Sequence, residues 1–266
     1  MRKLITGFSN PTVKYLRSLR DKKHRKRAGQ FLVEGLRLLE DARAGGRLPR
    51  QLVMATEREP HVLLARLEAD VAAAGGEVVE TSPDILSKIT GKSNAQSVVG
   101  VFEEWDTSLQ RLDRASATIW MVAQALRDPG NLGTMLRTGD AVGAGGLILI
   151  DECADPFSAE AVRASMGAVF TQQLAQARWE DFVAWLRDGP GQLVAASLRE
   201  AVPYRGAGYE APCFILVGNE SQGLPEAYEA ECDLRVTMPM KGRADSLNAA
   251  VAGAVLAYEV LAGLEG

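Results

Sequence analysis

Three polar turns hold the residues of this chain best suited to chemistry. In the first, Asp128-Pro-Gly-Asn-Leu-Gly, the amide of Asn131 precedes the guanidinium of Arg137 by six positions. The second, Gly218-Asn-Glu-Ser-Gln-Gly, sets the carboxylate of Glu220 between two glycines. The third, residues 238–252, starts at Met238 and carries Ser246 and Asn248 just ahead of a run of small residues. No histidine or cysteine stands in these turns, so attack by a thiolate or proton transfer through an imidazole is not on offer there. Amides, a hydroxyl, one acid and one arginine are suited instead to orienting a ligand and gripping phosphate. Each also has a plainer use: Asn131 and Ser246 as helix caps, Arg137 as a solvated helix cation, Glu220 as a cap for the short helix that follows.

The elements around these turns must place them together. Apolar runs at Ile119–Ala123, Leu147–Ile150, Leu193–Ser197, Cys213–Val217 and Leu234–Met238 read as buried strands. Interleaved helices include one through Met135, Leu136 and Arg137 that Gly145-Gly146 closes, and others at Ala159–Ala164, Glu180–Arg187 and Pro225–Ala230. Val169–Leu174 reads as extended. Continuous apolar strands alternating with helices predict an α/β fold with a mostly parallel sheet covered on both faces. Ligands bind such sheets beyond the carboxyl ends of the strands, where the first two turns lie. A closing helix over residues 246–262 begins with Ala249, Ala250, Ala252, Gly253 and Ala254, slim enough for close packing. Gly218, at a strand's end, removes a side chain where a flat ligand presses on backbone. Gly143-Ala-Gly-Gly precedes a strand rather than following one, which argues against a dinucleotide fingerprint.

The N-terminal part has a different texture. Asn10-Pro11 opens a helix to about Arg20 with Val13, Leu16 and Leu19 on one face. Short strands at Phe31–Gly35, Gln51–Thr56, Glu77–Glu80 and Ser97–Phe102 alternate with helices, giving a smaller α/β or α+β module. The expected division is residues 1–103, a polar linker at 104–117, and a second domain at 118–266.

Composition bounds the class. The chain has 266 residues, 47% hydrophobic and 24% charged, enough to bury a core without staples. Cys153, Cys213 and Cys232 lie far apart and only His24 and His61 accompany them, so neither a disulfide framework nor a zinc site is expected. No signal peptide and no apolar run of about 18 residues stands out, which points to a cytoplasmic protein. Residues 1–50 carry 14 Lys and Arg against 4 Asp and Glu, and the rest of the chain 16 against 30. The excess gathers at Lys14, Arg17, Arg20, Lys22, Lys23, Arg25, Lys26 and Arg27. A basic cluster on an otherwise acidic protein is either a solubilising tail or a footprint for phosphates.

Taken together, the three turns resemble the SpoU family of RNA ribose 2′-O-methyltransferases, part of the SPOUT superfamily. Asp128-Pro-Gly-Asn-Leu-Gly-Thr-Met-Leu-Arg through Ala144 is similar to the family's first motif, and Gly218-Asn-Glu-Ser-Gln-Gly-Leu to its second. Met238-Pro-Met-Lys-Gly through Ser246-Leu-Asn-Ala-Ala-Val-Ala resembles the third, and Val162-Arg-Ala-Ser-Met-Gly-Ala the intermediate stretch. Phe31-Leu-Val-Glu-Gly after a basic helix resembles the substrate-binding domain of many members. The one departure is Ala249-Ala250, where a β-branched and then a small polar residue is frequent; it bears on packing rather than chemistry.

The resemblance implies a trefoil knot that binds S-adenosylmethionine, an exception to the rule that chains do not thread their own loops. It implies cofactor contacts from the backbone at Gly218, Met238 and Leu247 and catalytic roles for Asn131, Arg137, Glu220, Ser246 and Asn248; the sparse Cys and His leave no metal site expected. It implies a homodimer acting on RNA, with ribosomal RNA favoured and tRNA second. Read this way, the basic residues between Lys14 and Arg27 become RNA contacts. Rival readings are a non-catalytic RNA-binding member of the fold, and a small-molecule α/β enzyme, which leaves the basic cluster unexplained.

Overall fold

The structure, a computed structural model, describes residues 2–219 and 221–265. The chain forms two compact units, one from the residues up to Trp105 with Phe157–Phe170, the other from Asp106–Pro156 with the chain from Thr171 on.

The first unit opens with β1 (Arg2–Ile5), α1 (Pro11–Ser18) and α2 (Lys22–Ala28). It continues with β2 (Gln30–Glu34), α3 (Leu36–Ala44), β3 (Gln51–Ala55), α4 (Val62–Ala73), β4 (Glu77–Thr81), α5 (Pro83–Thr90) and β5 (Val98–Glu103). The sheet order is β1-β4-β3-β5-β2, with β1, β4 and β3 parallel and β5 antiparallel to both its neighbours. α1 starts because the Asn10 side chain accepts the Thr12 N–H at 2.9 Å and Pro11 needs no partner for a missing N–H. Its apolar face buries Val13, Leu16 and Leu19 against Ile85, Leu86 and Ile89. Asp21 caps α2 by accepting from the Lys23 and His24 N–H groups.

In chain order the rest is β6 (Ile119–Gln124), α6 (Pro129–Ala141), β7 (Gly146–Ile150), α7 (Ala159–Ala164) and α8 (Ala168–Thr171). After these come β8 (Gln173–Ala177), α9 (Trp179–Arg187), β9 (Gln192–Ala196), β10 (Val202–Pro203) and β11 (Cys213–Val217). α10 (Glu226–Ala230), β12 (Leu234–Thr237) and α11 (Ala249–Glu265) complete the fold. The sheet of the second unit has the order β10-β12-β9-β11-β6-β7-β8, and every pairing is parallel. This is the mostly parallel α/β sheet that the apolar runs predict. Trp120, Phe182 and Phe214, all fully buried, centre its core. From β12, near one edge, the chain returns across the sheet so that α11 packs on β9, β11, β6 and α6. Its Ala249, Ala250, Ala252 and Gly253 are buried there, the close approach that a small-residue helix allows.

The first unit borrows a segment from between β7 and β8. Phe157 lies 4.9 Å from the Phe31 ring and 4.7 Å, edge-on, from Trp105, while Phe170 stacks obliquely on Phe102 at 5.4 Å. These aromatic contacts carry α7 into the first unit, where it packs on β2.

Several local expectations change. β1 is an additional strand in a stretch with a single buried residue, Ile5. Residues 168–171 are helical rather than extended, and the strand that follows begins at Gln173. Gly145-Gly146 does not stop α6, which ends at Ala141; a β-carbon at Gly145 would stand 2.5 Å from the Trp120 ring, so packing requires the glycine. Within the polar stretch 104–117, Leu109 is buried in the second core and the Arg114 guanidinium lies 4.1 Å above the Trp185 ring.

Arg25 is the buried cation of α2. It is 5% exposed, and its Nη1 donates to the carbonyls of Leu19 at 3.0 Å and Arg20 at 2.7 Å, closing the end of α1. Replacing it leaves two carbonyls without those donors, so Arg25→Ala is expected to lower stability by about 1–3 kcal/mol in urea unfolding. The same change at exposed Lys22 or Lys23 is expected to stay within about 0.5 kcal/mol.

Candidate active site

At the end of β6 the chain turns at Ala125, which holds φ of 49°, a left-handed conformation that costs an alanine about 1 kcal/mol. Hydrogen bonds hold it from both sides. The Ala125 N–H donates to the Ile150 carbonyl at 3.0 Å, and its own carbonyl accepts the Asn219 amide at 2.9 Å. Asp128 then caps α6, accepting the Asn131 N–H at 2.6 Å. Asn131 is therefore not the cap but a first-turn residue whose side chain points to another partner. Its Oδ1 accepts the Asn248 side-chain amide at 3.0 Å across 117 positions of sequence.

Asn248 is the N-cap of α11: its Oδ1 accepts the Ala250 and Val251 N–H groups at 3.0 and 3.2 Å. α11 starts at Ala249, three residues later than the predicted start at 246, and Ser246 stands exposed in the preceding loop. One amide thus serves the α11 terminus with its oxygen and the first turn of α6 with its nitrogen.

The second turn leaves β11 through Gly218. A β-carbon there would lie 2.7 Å from the Gly223 carbonyl carbon and the Leu224 nitrogen, so the loop folds back against bare backbone. Asn219 organises it: its Oδ1 accepts from the Ser221 and Gln222 N–H groups at 2.9 and 3.2 Å, while its Nδ2 makes the bond to Ala125. Glu220 lies outside the described residues.

Between the second and third turns lies a cavity of about 400 Å³ whose lining includes Gly218, Met238, Ser246 and Leu247. The three positions expected at a ligand, Gly218, Met238 and Leu247, thus line one cavity with Ser246. Asn131, Arg137 and Asn248 are not part of that lining. Arg137 stands exposed on α6, with no hydrogen bond or ion pair to any described residue. The cavity also holds a pair that the residue spacing did not signal. Glu229, 5% exposed, accepts the Ser197 hydroxyl at 2.6 Å and lies 3.4 Å from the Arg199 guanidinium. Ser197 follows an apolar strand and Glu229 sits on a short acidic helix, patterns that ordinarily mean a solvated surface. Asn219 was similarly hidden, although an Asn directly after a strand-end glycine is a turn signal.

Burial pushes the Cys153 thiol to about 11 and the Cys213 and Cys232 thiols to about 12, so all three remain protonated at neutral pH. Among the described residues no group of three or more His, Cys, Asp or Glu is placed to hold a metal ion. Among the described residues, the three turns offer amides, a hydroxyl, bare backbone and the exposed guanidinium of Arg137.

The basic residues of the first unit divide. Lys14, Arg17, Arg20, Lys22, Lys23 and Arg27 are exposed. Lys26 is exposed but pairs with Glu104 at 2.9 Å, and its ammonium lies 5.5 Å from the centre of the Phe157 ring. Arg25 alone is buried, as described above.

The double role of Asn248 is testable by stability. Asn248→Ala removes the α11 cap and the bond to Asn131, and is expected to cost about 1–2 kcal/mol in urea unfolding. Asn248→Asp keeps the cap acceptor and is expected to recover at least half of that loss. Equal losses for both substitutions would show that the cap is not what Asn248 contributes.

Comparison with known proteins fits this geometry. Residues 118–258 match the model of the SpoU rRNA Methylase family, and residues 10–100 that of the MRM3-like substrate binding domain. The chain is 30% identical to the 23S rRNA (guanosine(2553)-2'-O)-methyltransferase RlmP of Bacillus subtilis, across 97% of this chain and 99% of that protein. It is 40% identical to the AdoMet-bound rRNA methyltransferase from Sinorhizobium meliloti, with a TM-score of 0.92 over 99% of this chain and 98% of that one. The SpoU methyltransferase AviRb from Streptomyces viridochromogenes, solved in complex with AdoMet, superposes with a TM-score of 0.87 at 29% identity, over 97% of this chain and 99% of that one. With the family model spanning more than half of the chain and likeness running along nearly all of it, this protein belongs to the SpoU rRNA methylase family.

Proposed function

We infer that this protein is an S-adenosylmethionine-dependent RNA methyltransferase that modifies a ribose 2′-hydroxyl in ribosomal RNA. The observation that carries the reading is the convergence of three sequence-distant turns, tied by Asn219 and Asn248, beside a cavity whose lining includes Gly218, Met238 and Leu247. The family's activity and the AdoMet-bound relatives support it.

The cavity fits that cofactor. Its volume of about 400 Å³ lies in the range of small-molecule sites. Gly218 leaves backbone bare on one wall, and Val217, Leu224, Val236 and Ala252 supply apolar surface for a flat ring. Gly218, Met238 and Leu247 would hold it by backbone groups. Bound there, S-adenosylmethionine supplies an electrophilic methyl group for the ribose oxygen.

The chain's own residues then have to place the hydroxyl and accept its proton. A guanidinium with a pKa above about 12 is no base at neutral pH. Arg137 instead clamps the RNA phosphate beside the target ribose, using two donors at once, and that phosphate or Glu220 takes the proton. Asn131 and Asn248 lock the N-termini of α6 and α11 together, and Ser246 orients the loop between Met238 and Asn248. Residues 1–103 form the RNA substrate-binding module, whose exposed cations at Lys14, Arg17, Arg20, Lys22, Lys23 and Arg27 grip the backbone without regard to sequence. Among the described residues no helix is long and apolar enough to cross a membrane.

The active form is a homodimer. α11 exposes Val251, Val255 and Tyr258, an i, i+4, i+7 stripe that leaves large apolar side chains in water, and exposed Leu247 shares a cavity with Val255. A second copy of this chain covers that face and completes the surface around Arg137. Val255→Arg together with Tyr258→Arg is expected to turn a dimer into a monomer in sedimentation, with no change in cofactor affinity large enough to explain the lost activity. A wild-type protein that sediments as a monomer would contradict this.

The test of function is transfer of labelled methyl from S-adenosylmethionine to ribosomal RNA, followed by alkaline hydrolysis. A 2′-O-methyl removes the hydroxyl that drives cleavage, so label is expected in alkali-resistant dinucleotides; label on bases would overturn the reading. Arg137→Ala is expected to lower transfer about 10- to 100-fold with cofactor affinity unchanged. Full activity in Arg137→Lys would sink the two-pronged clamp.

A further inference from the structure

The basic helix of the first unit borders a second cavity, and its chemistry differs from that of the cations beside it. About 410 Å³ in volume, it is lined by Pro11, Thr12 and Tyr15 of α1 and by Gln30, Arg50, Gln51 and Val101 at one end of the sheet. Tyr15 is 42% exposed, so part of its ring is open to solvent beside the cavity.

The charges in this cavity are already matched. Arg50 meets Glu103 with two prongs, Nε to Oε1 at 3.0 Å and Nη2 to Oε2 at 3.1 Å. Glu77 pairs with Lys3 and also accepts the Gln51 Nε2 at 2.5 Å; Lys3 first, then Gln51, hold its carboxyl below the usual range. A phosphate would find no unpaired cation among the residues that line the cavity. It would find them outside, at Lys14 and Arg17 on the same helix, which have no ion-pair partner among the described residues.

The cavity does offer unfilled neutral hydrogen-bonding groups. The Tyr15 hydroxyl donates to Gln30 Oε1 at 2.5 Å, and burial raises its pKa, so it stays a donor at neutral pH. That bond occupies the oxygen of Gln30 and leaves its Nε2 with no partner among the described residues. Gln51 is used the other way round: its Nε2 is taken by Glu77 and its Oε1 has no partner among the described residues. One free amide donor and one free amide acceptor, next to an exposed aromatic face, match the edge and face of a heteroaromatic ring that carries both kinds of group.

We propose that this cavity receives an unstacked nucleobase of the RNA, with Tyr15 as stacking platform and Gln30 Nε2 and Gln51 Oε1 as edge contacts. The proposal rests on the RNA-binding reading above and adds to it. Proteins read RNA sequence and shape through splayed-out bases stacked on aromatic rings, whereas backbone cations are indifferent to sequence. Lys14 and Arg17 hold the phosphates that flank the captured base. The module then recognises single-stranded or bulged RNA in preference to a continuous duplex.

The test uses the full-length protein with a fluorescein-labelled single-stranded oligoribonucleotide and, separately, the fully paired duplex of the same sequence, titrated over a range of salt concentrations. Tyr15→Ala is expected to weaken single-strand binding about 5- to 100-fold, to leave duplex binding unchanged, and to keep the slope of log affinity against log salt. Tyr15→Phe keeps the ring and is expected to bind within about twofold of wild type. Lys14→Gln is expected to weaken both probes and to reduce the salt slope by about one. Gln30→Ala serves as a second variant, with the same single-strand selectivity expected, should Tyr15→Ala unfold at a lower temperature. Tyr15→Ala and Gln30→Ala that bind the single strand as wild type does, or that lose both probes equally, would overturn the base site while the RNA reading stands. A wild-type protein that binds neither probe would overturn both.

Discussion

Two asparagine side chains set the geometry on which the site depends. Asn219 joins the loop after β11 to the Ala125 carbonyl at the end of β6, and Asn248 joins the cap of α11 to Asn131 in the first turn of α6. An amide suits this because it donates and accepts at once, so one residue can close its own turn and bind a distant one. Neither bond is worth more than about 1.5 kcal/mol net. Their importance is in register: they are polar ties between turns separated by up to 117 positions. The buried small-residue face of α11 supplies the bulk of the attraction, and the amides decide where its N-terminus stops.

That division of labour explains why the site has no obvious chemical engine. No cysteine lines its cavity, and the exposed guanidinium of Arg137 has no partner among the described residues. A reaction whose methyl donor is already activated needs alignment more than it needs acid or base strength. In the proposed mechanism, the bare backbone at Gly218 and the joined termini of α6 and α11 would serve that alignment. The strained Ala125 between them is held by bonds on both sides, as expected where backbone conformation serves a site.

Much of the second unit was legible from residue order. The apolar runs at Ile119, Leu147, Leu193, Cys213 and Leu234 became parallel strands because only a sheet covered on both faces buries such continuous runs. Gly218, Met238 and Leu247, carried over by resemblance, do share a cavity. Caps were harder, because Asp128, Asn131, Ser246 and Asn248 are all good cap residues and local pattern cannot rank them. The long-range partner decides: Asn131 meets Asn248, which leaves the caps to Asp128 and Asn248. β1 escaped because three of its four residues are exposed, and Arg25 because a charge in a basic run gives no sign that it will turn inward to carbonyls. The Ser197–Glu229 pair, 32 positions apart, exists only once β9 and α10 are folded.

The central claim is that these turns, brought together by two amides, methylate a ribose in ribosomal RNA. The most direct measurement maps 2′-O-methyl groups across ribosomal RNA from cells with and without this gene. The account predicts one ribose methylation that vanishes with the gene, returns with the wild-type protein, and does not return with an Arg137→Ala copy. Identical maps in the presence and absence of the gene, or loss of a base methyl in place of a ribose methyl, would contradict it.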